Sequence, residues 1–506
     1  MCMFALALLW VLLAVAEGLT YARLPLQRSR QRTFTLGVLL LFLVLSTGLR
    51  LWAGWQAWAV FCVLSGYRIV NLGRFWYARL PEARLRPASV RAHVWLVTMQ
   101  AAVLGVGSVV THWHFASQLL YGLITVQLLV ALILLRATTH TWRHATAPSN
   151  AAPLTDKQLP SLSVLVPARN ESEELESCLE MLTASDYPKL EILVLDDCSV
   201  TRRTPEIIRS FAQSGVRFVQ GKVPDETRWL AKNFAYDQLA KEASGDLLLF
   251  CGVDTQLSSQ STRRLAAILE ARHKNMLCVM PLRRHVKREG NSPYQAMRYY
   301  WELCLPRRLF KRPPVLSTCW LIRRESLEKM GGFESDRHSV NPEASFARQA
   351  VTTDSYSFIR SDDALGVYSN KPASEQYSTS VRVRYPQLHR RLELVALTAL
   401  LEVVFLLGPI AGLLVSPGLK HTTEYVAVWG VSLLCLLVTY GFVSVGTRLA
   451  NPWYGWLLMP VAFVLDIALL HISFWRYEFG AVEWKGRNVC LPVMQLASPV
   501  ERVSEG

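Results

Sequence analysis

The sequence holds no CxxC pair, no Gly-x-Ser-x-Gly, no P-loop and no Gly-x-Gly-x-x-Gly. These absences remove a thioredoxin-like redox centre, a serine-hydrolase elbow, a Walker-type nucleotide site and a dinucleotide fingerprint. The ten cysteines are scattered with no framework spacing, so a disulfide-built secreted domain is excluded and a reducing compartment fits. Charge is also scarce: 18% of the 506 residues are charged and 51% are hydrophobic, too apolar for a wholly soluble chain. The net charge of +15 comes with no RNP, zinc-finger or basic-helix pattern, so no nucleic-acid partner is expected.

The apolar residues fall in blocks at both ends. Five segments, roughly 3–20, 34–49, 51–70, 92–112 and 114–136, have about the length a bilayer requires, and three more follow at 393–416, 424–447 and 455–474. The expected organisation is an N-terminal membrane region over 1–139 and a linker over 140–160. A globular domain over 161–392 follows, then a C-terminal membrane region of two to four helices over 393–475 and a tail over 476–506. Arg23, Arg28, Arg30 and Arg32 lie in one loop, and Arg74, Arg79, Arg84, Arg86 and Arg91 in another. Placing both inside brings the globular domain to the cytoplasmic side of the cell's inner membrane. Three C-terminal helices then put Arg476, Lys485 and Arg487 outside, against the charge rule, so one segment is open to an interfacial or re-entrant reading.

Between the blocks, strands and helices alternate. Ser161–Pro167, Leu190–Leu195, Val216–Val219 and Asp246–Cys251 read as strands, and 171–184, 204–214 and 230–243 as helices. That order predicts an α/β, Rossmann-like domain with a mostly parallel sheet and helices on both faces. Ligands of such sheets bind beyond the carboxyl ends of the strands. Those ends carry Ala168-Arg169-Asn170-Glu171, Asp196-Asp197-Cys198-Ser199 and Gly252-Val253-Asp254. Each carboxylate alone reads equally as a turn or cap residue. Three acidic strand ends on one edge suit a base, a ribose and a cation beneath a diphosphate.

The stretches SVLVPARNE (163–171), DYPKLEILVLDDCS (186–199), RWLAKNFA (228–235), GDLLLFCGVDT (245–255), GGF (331–333) and WKGR (484–487) together resemble the membrane-bound family 2 glycosyltransferases, whose catalytic domain has the GT-A fold. The resemblance implies a nucleotide-sugar donor, UDP- or GDP-linked, and transfer to a lipid or lipid-linked acceptor with inversion. It implies Ala168, Glu171, Asp196 and Asp197 at the base and ribose, Lys232 near the pyrophosphate, and Asp254 holding Mn2+ or Mg2+. It further implies Arg382 and Arg384 on the diphosphate, and an acceptor-site loop of Gly331, Gly332 and Phe333 with Trp320 beside it.

The sequence departs from that pattern in three places. Gly252 stands where the family's Asp-x-Asp has its first acid. The Glu-Asp pair expected after GGF is replaced by Asn341-Pro342-Glu343, which makes Glu343 the candidate base or an ordinary first-turn residue after an Asn cap. The family's Gln-x-x-Arg-Trp-type motif is altered to Arg382-Val383-Arg384-Tyr385, which is equally a juxtamembrane basic stretch. GGF is equally a turn, Trp320 equally core, and WKGR either folds back over the site or anchors at the interface. His112, His114, His140 and His144 read as solvated loop residues. A processive polysaccharide synthase and a silent scaffold keeping the fold are the alternatives; the altered motifs weigh against the first, and Gly252 speaks for the second.

Overall fold

The computed structural model describes residues 12–17, 28–52, 54–74, 82–112, 116–146, 154–225, 228–284, 291–305, 312–418 and 422–490. Most of the apolar segment at 3–20, Arg23, Arg79, His114 and the tail beyond 490 lie outside them. The chain divides into two compact units, one of Met1–Leu129, Arg384–Val431 and Ile467–Val482, the other of Val130–Val383, Ser432–Asp466 and Glu483–Gly506.

The second unit is built on a sheet. Its strands are β1 Leu162–Ala168, β2 Leu190–Asp196, β3 Val216–Gln220, β4 Leu247–Cys251, β5 Thr255–Leu257, β6 Met276–Met280, β7 Leu282–Arg283, β8 Cys319–Arg323, β9 Tyr356–Arg360 and β10 Val367–Ser369. Seven form one sheet in the order β3-β2-β1-β4-β8-β6-β9, in which β8 alone runs against its neighbours. Strand β5, β10 and β7 make a small second sheet, with Ser369 opposite Thr255. Along β4 the side chains alternate: Leu247, Leu249 and Cys251 join the aliphatic core, while Phe250 points to the other face and stacks on Trp320 at 4.1 Å. The helix Glu173–Thr183 has Glu173, Glu174 and Glu176 in its first turn, which suits the positive end of its dipole. It buries Leu175, Cys178, Leu179 and Leu182, the spacing of one helical face.

Among the described residues four helices are long and apolar enough to cross a membrane: Gln118–His144, Leu392–Val415, Thr423–Gly446 and Gly455–Glu478. The segments expected at 34–49, 51–70 and 92–112 lie in the helices Arg28–Trp52, Gly54–Gly73 and Glu82–His112. The helix ending at His144 runs into the expected linker, because no proline interrupts it before Pro148.

In the first unit several polar groups buried among these helices are paired, as an apolar surrounding favours. Arg68 pairs with Glu17 and donates from Nε to Gln100 Oε1 at 3.1 Å. A π-helical turn at Val403–Leu407 frees backbone groups, and Gln127 Nε2 donates to the Val404 carbonyl at 2.7 Å.

Candidate functional site

The loops after β1 and β2 are tied together by their own polar residues. The Asn170 side chain accepts from Val200 N at 2.8 Å, and its N–H donates to Ser199 Oγ at 2.9 Å. Asn170 has φ +49°, a region that asparagine tolerates. Arg169 Nη1 donates to the carbonyls of Asp197 and Cys198, each at 2.6 Å. Asp196 accepts from Ser199 N at 3.1 Å, closing a turn, and the Ala168 carbonyl accepts from Asp197 N at 2.8 Å. Ala168 and Asp196 are thus buried framework of the strand ends and do not line the open cleft.

The WKGR sequence folds back onto this edge. Strands β11 Glu483–Trp484 and β12 Arg487–Asn488 form a hairpin whose turn residues, Lys485 and Gly486, have φ of +47° and +78°. Two left-handed residues are the signature of a type I′ turn, and glycine supplies one of them without strain. The turn aims Lys485 at Glu171 Oε2 and Glu375 Oε1, each 3.2 Å away, and Arg487 at Asp197. Burial pushes the Glu171 and Asp197 carboxyls up, with Lys485 and Arg487 respectively opposing the rise.

Beyond β1 and β4 opens a cleft of about 890 Å³, part of it continuous with solvent. Pro167, Glu171, Lys232, Gly252, Asp254 and Arg382 line it, joined by Arg298, Lys371, Glu375, Trp484 and Lys485. Lys232, on the helix Ala231–Glu242, lies 5.3 Å over the Tyr236 ring. Burial lowers its ammonium to about 8, and the charge of Glu343 opposes this. Arg382 lies 5.5 Å over the Trp484 ring. Arg384 is placed elsewhere, 3.4 Å from Glu402, two residues farther along a helix whose neighbouring side chains point in different directions.

Glu343 is buried and does not line the cleft, and its Oε2 has no hydrogen-bond partner among the described residues. The helix Pro342–Thr352 starts with Pro342 in its first turn, but the Asn341 side chain makes no capping bond. The loop before it is tied to the helix Ala231–Glu242 by Asn233, whose Nδ2 donates to the Asp336 and Ser339 carbonyls at 3.0 and 2.7 Å.

The acceptor-side expectations give way to core packing. Trp320 is fully buried against Phe250, and Phe333 packs against Phe250 and Phe346, each ring pair at 5.4 Å. Gly331 and Gly332, at φ +85° and +58°, turn the chain so that Phe333 enters this cluster. None of the four lines the cleft.

Asp254 decides how well a divalent ion fits. Its Oδ2 has Ser369 Oγ at 3.4 Å and the Lys371 ammonium at 3.8 Å. A Cβ on Gly252 would lie 2.5 Å from its Oδ1, so the carboxylate occupies the space a side chain at 252 would need. No group of three or more His, Cys, Asp or Glu that could hold a metal occurs among the described residues. One carboxylate facing an ammonium does not fit a protein-held Mn2+ or Mg2+, which take several oxygen ligands. Sequence reasoning passed over Lys371 and Arg298, which belong to no motif. The tail contacts were legible as one of the two readings of WKGR.

Residues 163–331 match the sequence model of Glycosyl transferase family 2. This stretch is similar to family 2 glycosyltransferases, and the mostly parallel sheet it builds is that of a GT-A transferase domain. Glycosyltransferase AglE of Haloferax volcanii is 24% identical over 234 residues, which are 46% of this chain and 74% of that protein. The poly(ribitol-phosphate) beta-N-acetylglucosaminyltransferase TarS of Staphylococcus aureus is 27% identical over 120 residues, which are 23% of this chain and 20% of that one. Among solved structures, the mannosyltransferase PcManGT from Pyrobaculum calidifontis, in complex with GDP-Man and Mn2+, aligns over 69% of this chain and 99% of its own at 16% identity, with a TM-score of 0.39.

Proposed function

We propose that this chain transfers a sugar from a UDP- or GDP-linked donor to a lipid or lipid-linked acceptor. The observation that carries the reading is the cleft beyond β1 and β4, where Glu171 and Asp254 face Lys232 and Arg382. Carboxylates suit the hydroxyls of a ribose or sugar, and the cations suit a diphosphate. Asp254 in turn faces the Lys371 ammonium, 3.8 Å away.

Transfer is a single displacement. The acceptor hydroxyl gives its proton to Glu343 while its oxygen bonds to the anomeric carbon. The bond from that carbon to the diphosphate oxygen breaks, and its electron pair leaves with the nucleoside diphosphate. Attack opposite the leaving group inverts the anomeric centre. A phosphate acceptor is already ionised and needs no base.

A lipid acceptor is supported by the chain around the domain. The helix carrying Arg382 ends at Gln387, and the next, from Leu392, is long enough to cross a membrane. The arginines flanking the apolar segments of the N-terminal region favour the cytoplasmic side of the inner membrane for the domain.

The test is a titration of the full chain in detergent with UDP- and GDP-sugars, beside Asp254→Ala, followed by extraction of labelled product into organic solvent. Binding of one nucleotide class, lost in the variant, with label in the organic phase supports the reading. A long polymer would favour a processive synthase, and the absence of any binding would remove the donor site.

A further inference from the structure

The carboxylate of Asp254 has a built-in cation beside it. Strand β10 pairs with β5 so that Ser369 faces Thr255, and the Asn370 N–H donates to the Asp254 carbonyl at 2.9 Å. One residue on, the Lys371 carbonyl accepts from Gln376 Nε2 at 2.8 Å. The backbone of Lys371 is therefore held on both sides, and its Nζ comes within 3.8 Å of Asp254 Oδ2. Gly252 completes the arrangement, because a side chain there would push into Asp254 Oδ1, 2.5 Å from the Cβ position.

The same cleft gathers further positive charge. Arg298 donates from Nη2 to Ser317 Oγ at 3.0 Å, which fixes its guanidinium at the wall. Arg382 lies against Trp484. Lys485 is matched by Glu171 and Glu375, each at 3.2 Å. Five cations, Lys232, Arg298, Lys371, Arg382 and Lys485, thus line the cleft beside three carboxylates, Glu171, Asp254 and Glu375. That surplus suits the two phosphates of a nucleotide sugar. Guanidinium forks match phosphate oxygens in pairs, and an ammonium adds a compact point charge.

We propose that Lys371, with Arg298 and Arg382, is the resident counter-charge for the donor's diphosphate, so that this chain binds a nucleoside diphosphate without a divalent metal ion. The inference rests on the donor-site reading above and assigns the charge at that site to side chains. Lys371 has two partners in turn: Asp254 when the cleft is empty, and a phosphate oxygen when the donor is bound. Asp254 holds the ammonium in place until the diphosphate arrives.

The experiment is calorimetric titration of the full chain in detergent with UDP and with GDP, once in EDTA and once in excess Mn2+. Wild type is expected to bind one of them in EDTA with a Kd within about threefold of that in Mn2+. Lys371→Ala is expected to weaken binding in EDTA by roughly tenfold or more, the usual scale for losing a charge-assisted contact, while Lys371→Arg retains most of it. A thermal melt of each variant separates lost binding from lost folding. Wild-type binding that appears only with Mn2+ would overturn the inference and leave the donor site standing. Undiminished EDTA binding by folded Lys371→Ala would overturn the role of Lys371. If neither nucleotide binds in either condition, the donor-site reading itself falls.

Discussion

Arg487 Nη1 lies 2.8 Å from both carboxylate oxygens of Asp197, and both residues are buried. The contact joins the far end of the chain to the end of β2, on the edge where the family resemblance implies that the nucleotide's base lies. A buried carboxylate stripped of its guanidinium is costly in a way an intact pair is not.

Arg487→Ala is therefore expected to destabilise the sheet domain by about 3 to 5 kcal/mol, the usual penalty for orphaning a buried charge. Pairing it with Asp197→Asn should recover much of that loss. Thermal melts of both variants check this; equal melting points for the single and double variants would count against the ion pair as the cause.

Nucleotide affinity should depend on pH through Lys232. Its ammonium is lowered to about 8 by burial, so the charge is present below that pH and lost above it. A bound diphosphate favours the charged form, so Kd for the nucleotide is expected to rise as pH goes from about 7 to about 9. Lys371 is lowered in the same direction by burial, with Asp254 opposing, and shares the effect. Lys232→Arg, which stays charged throughout, should flatten part of the profile. An unchanged profile would remove Lys232 from the diphosphate.

Restoring the missing acid should not help. At Gly252 a Cβ lies 2.5 Å from Asp254 Oδ1, so Gly252→Ala and Gly252→Asp both force that carboxylate away from Lys371. Both are expected to weaken nucleotide binding by roughly tenfold, comparable to one charge-assisted contact. Titration of the two variants checks it, and tighter binding in Gly252→Asp would contradict the account.

Glu343→Gln should lower turnover by about a hundredfold or more, the usual contribution of a positioned base, with a much smaller change in nucleotide Kd through the Lys232 charge that Glu343 supports. Single-turnover rates beside nucleotide titrations separate the two effects. Full turnover in the variant would exclude Glu343 as base and fit an acceptor that is already ionised.

Trp320→Ala should behave as a core mutation. The ring is fully buried and stacked on Phe250 at 4.1 Å, so the loss is expected to be about 3 to 5 kcal/mol of stability with little change in nucleotide affinity. A large change in affinity at unchanged melting temperature would return Trp320 to the cleft wall.

Local periodicity determined a good deal of this protein. The β-branched run before Pro167 and the run DLLLFC are strands because each buries both faces, and Glu173–Thr183 is a helix because its leucines recur on one face. Acidic residues at the ends of those strands marked the edge where the cleft opens, and the long apolar blocks marked the helices. The sequence could not tell Trp320 the wall residue from Trp320 the core residue, because the face of β8 depends on the strands that pair with it. Nor could it bring Lys371 to Asp254, since only the antiparallel pairing of β10 with β5 makes them neighbours. The tail was decided by tertiary structure as well: WKGR states a tight turn, but its destination, Arg487 on Asp197, is a charge finding its partner across the folded domain. Periodicity is a property of neighbours along the chain; a site assembled from strand ends depends on contacts that only the completed sheet creates.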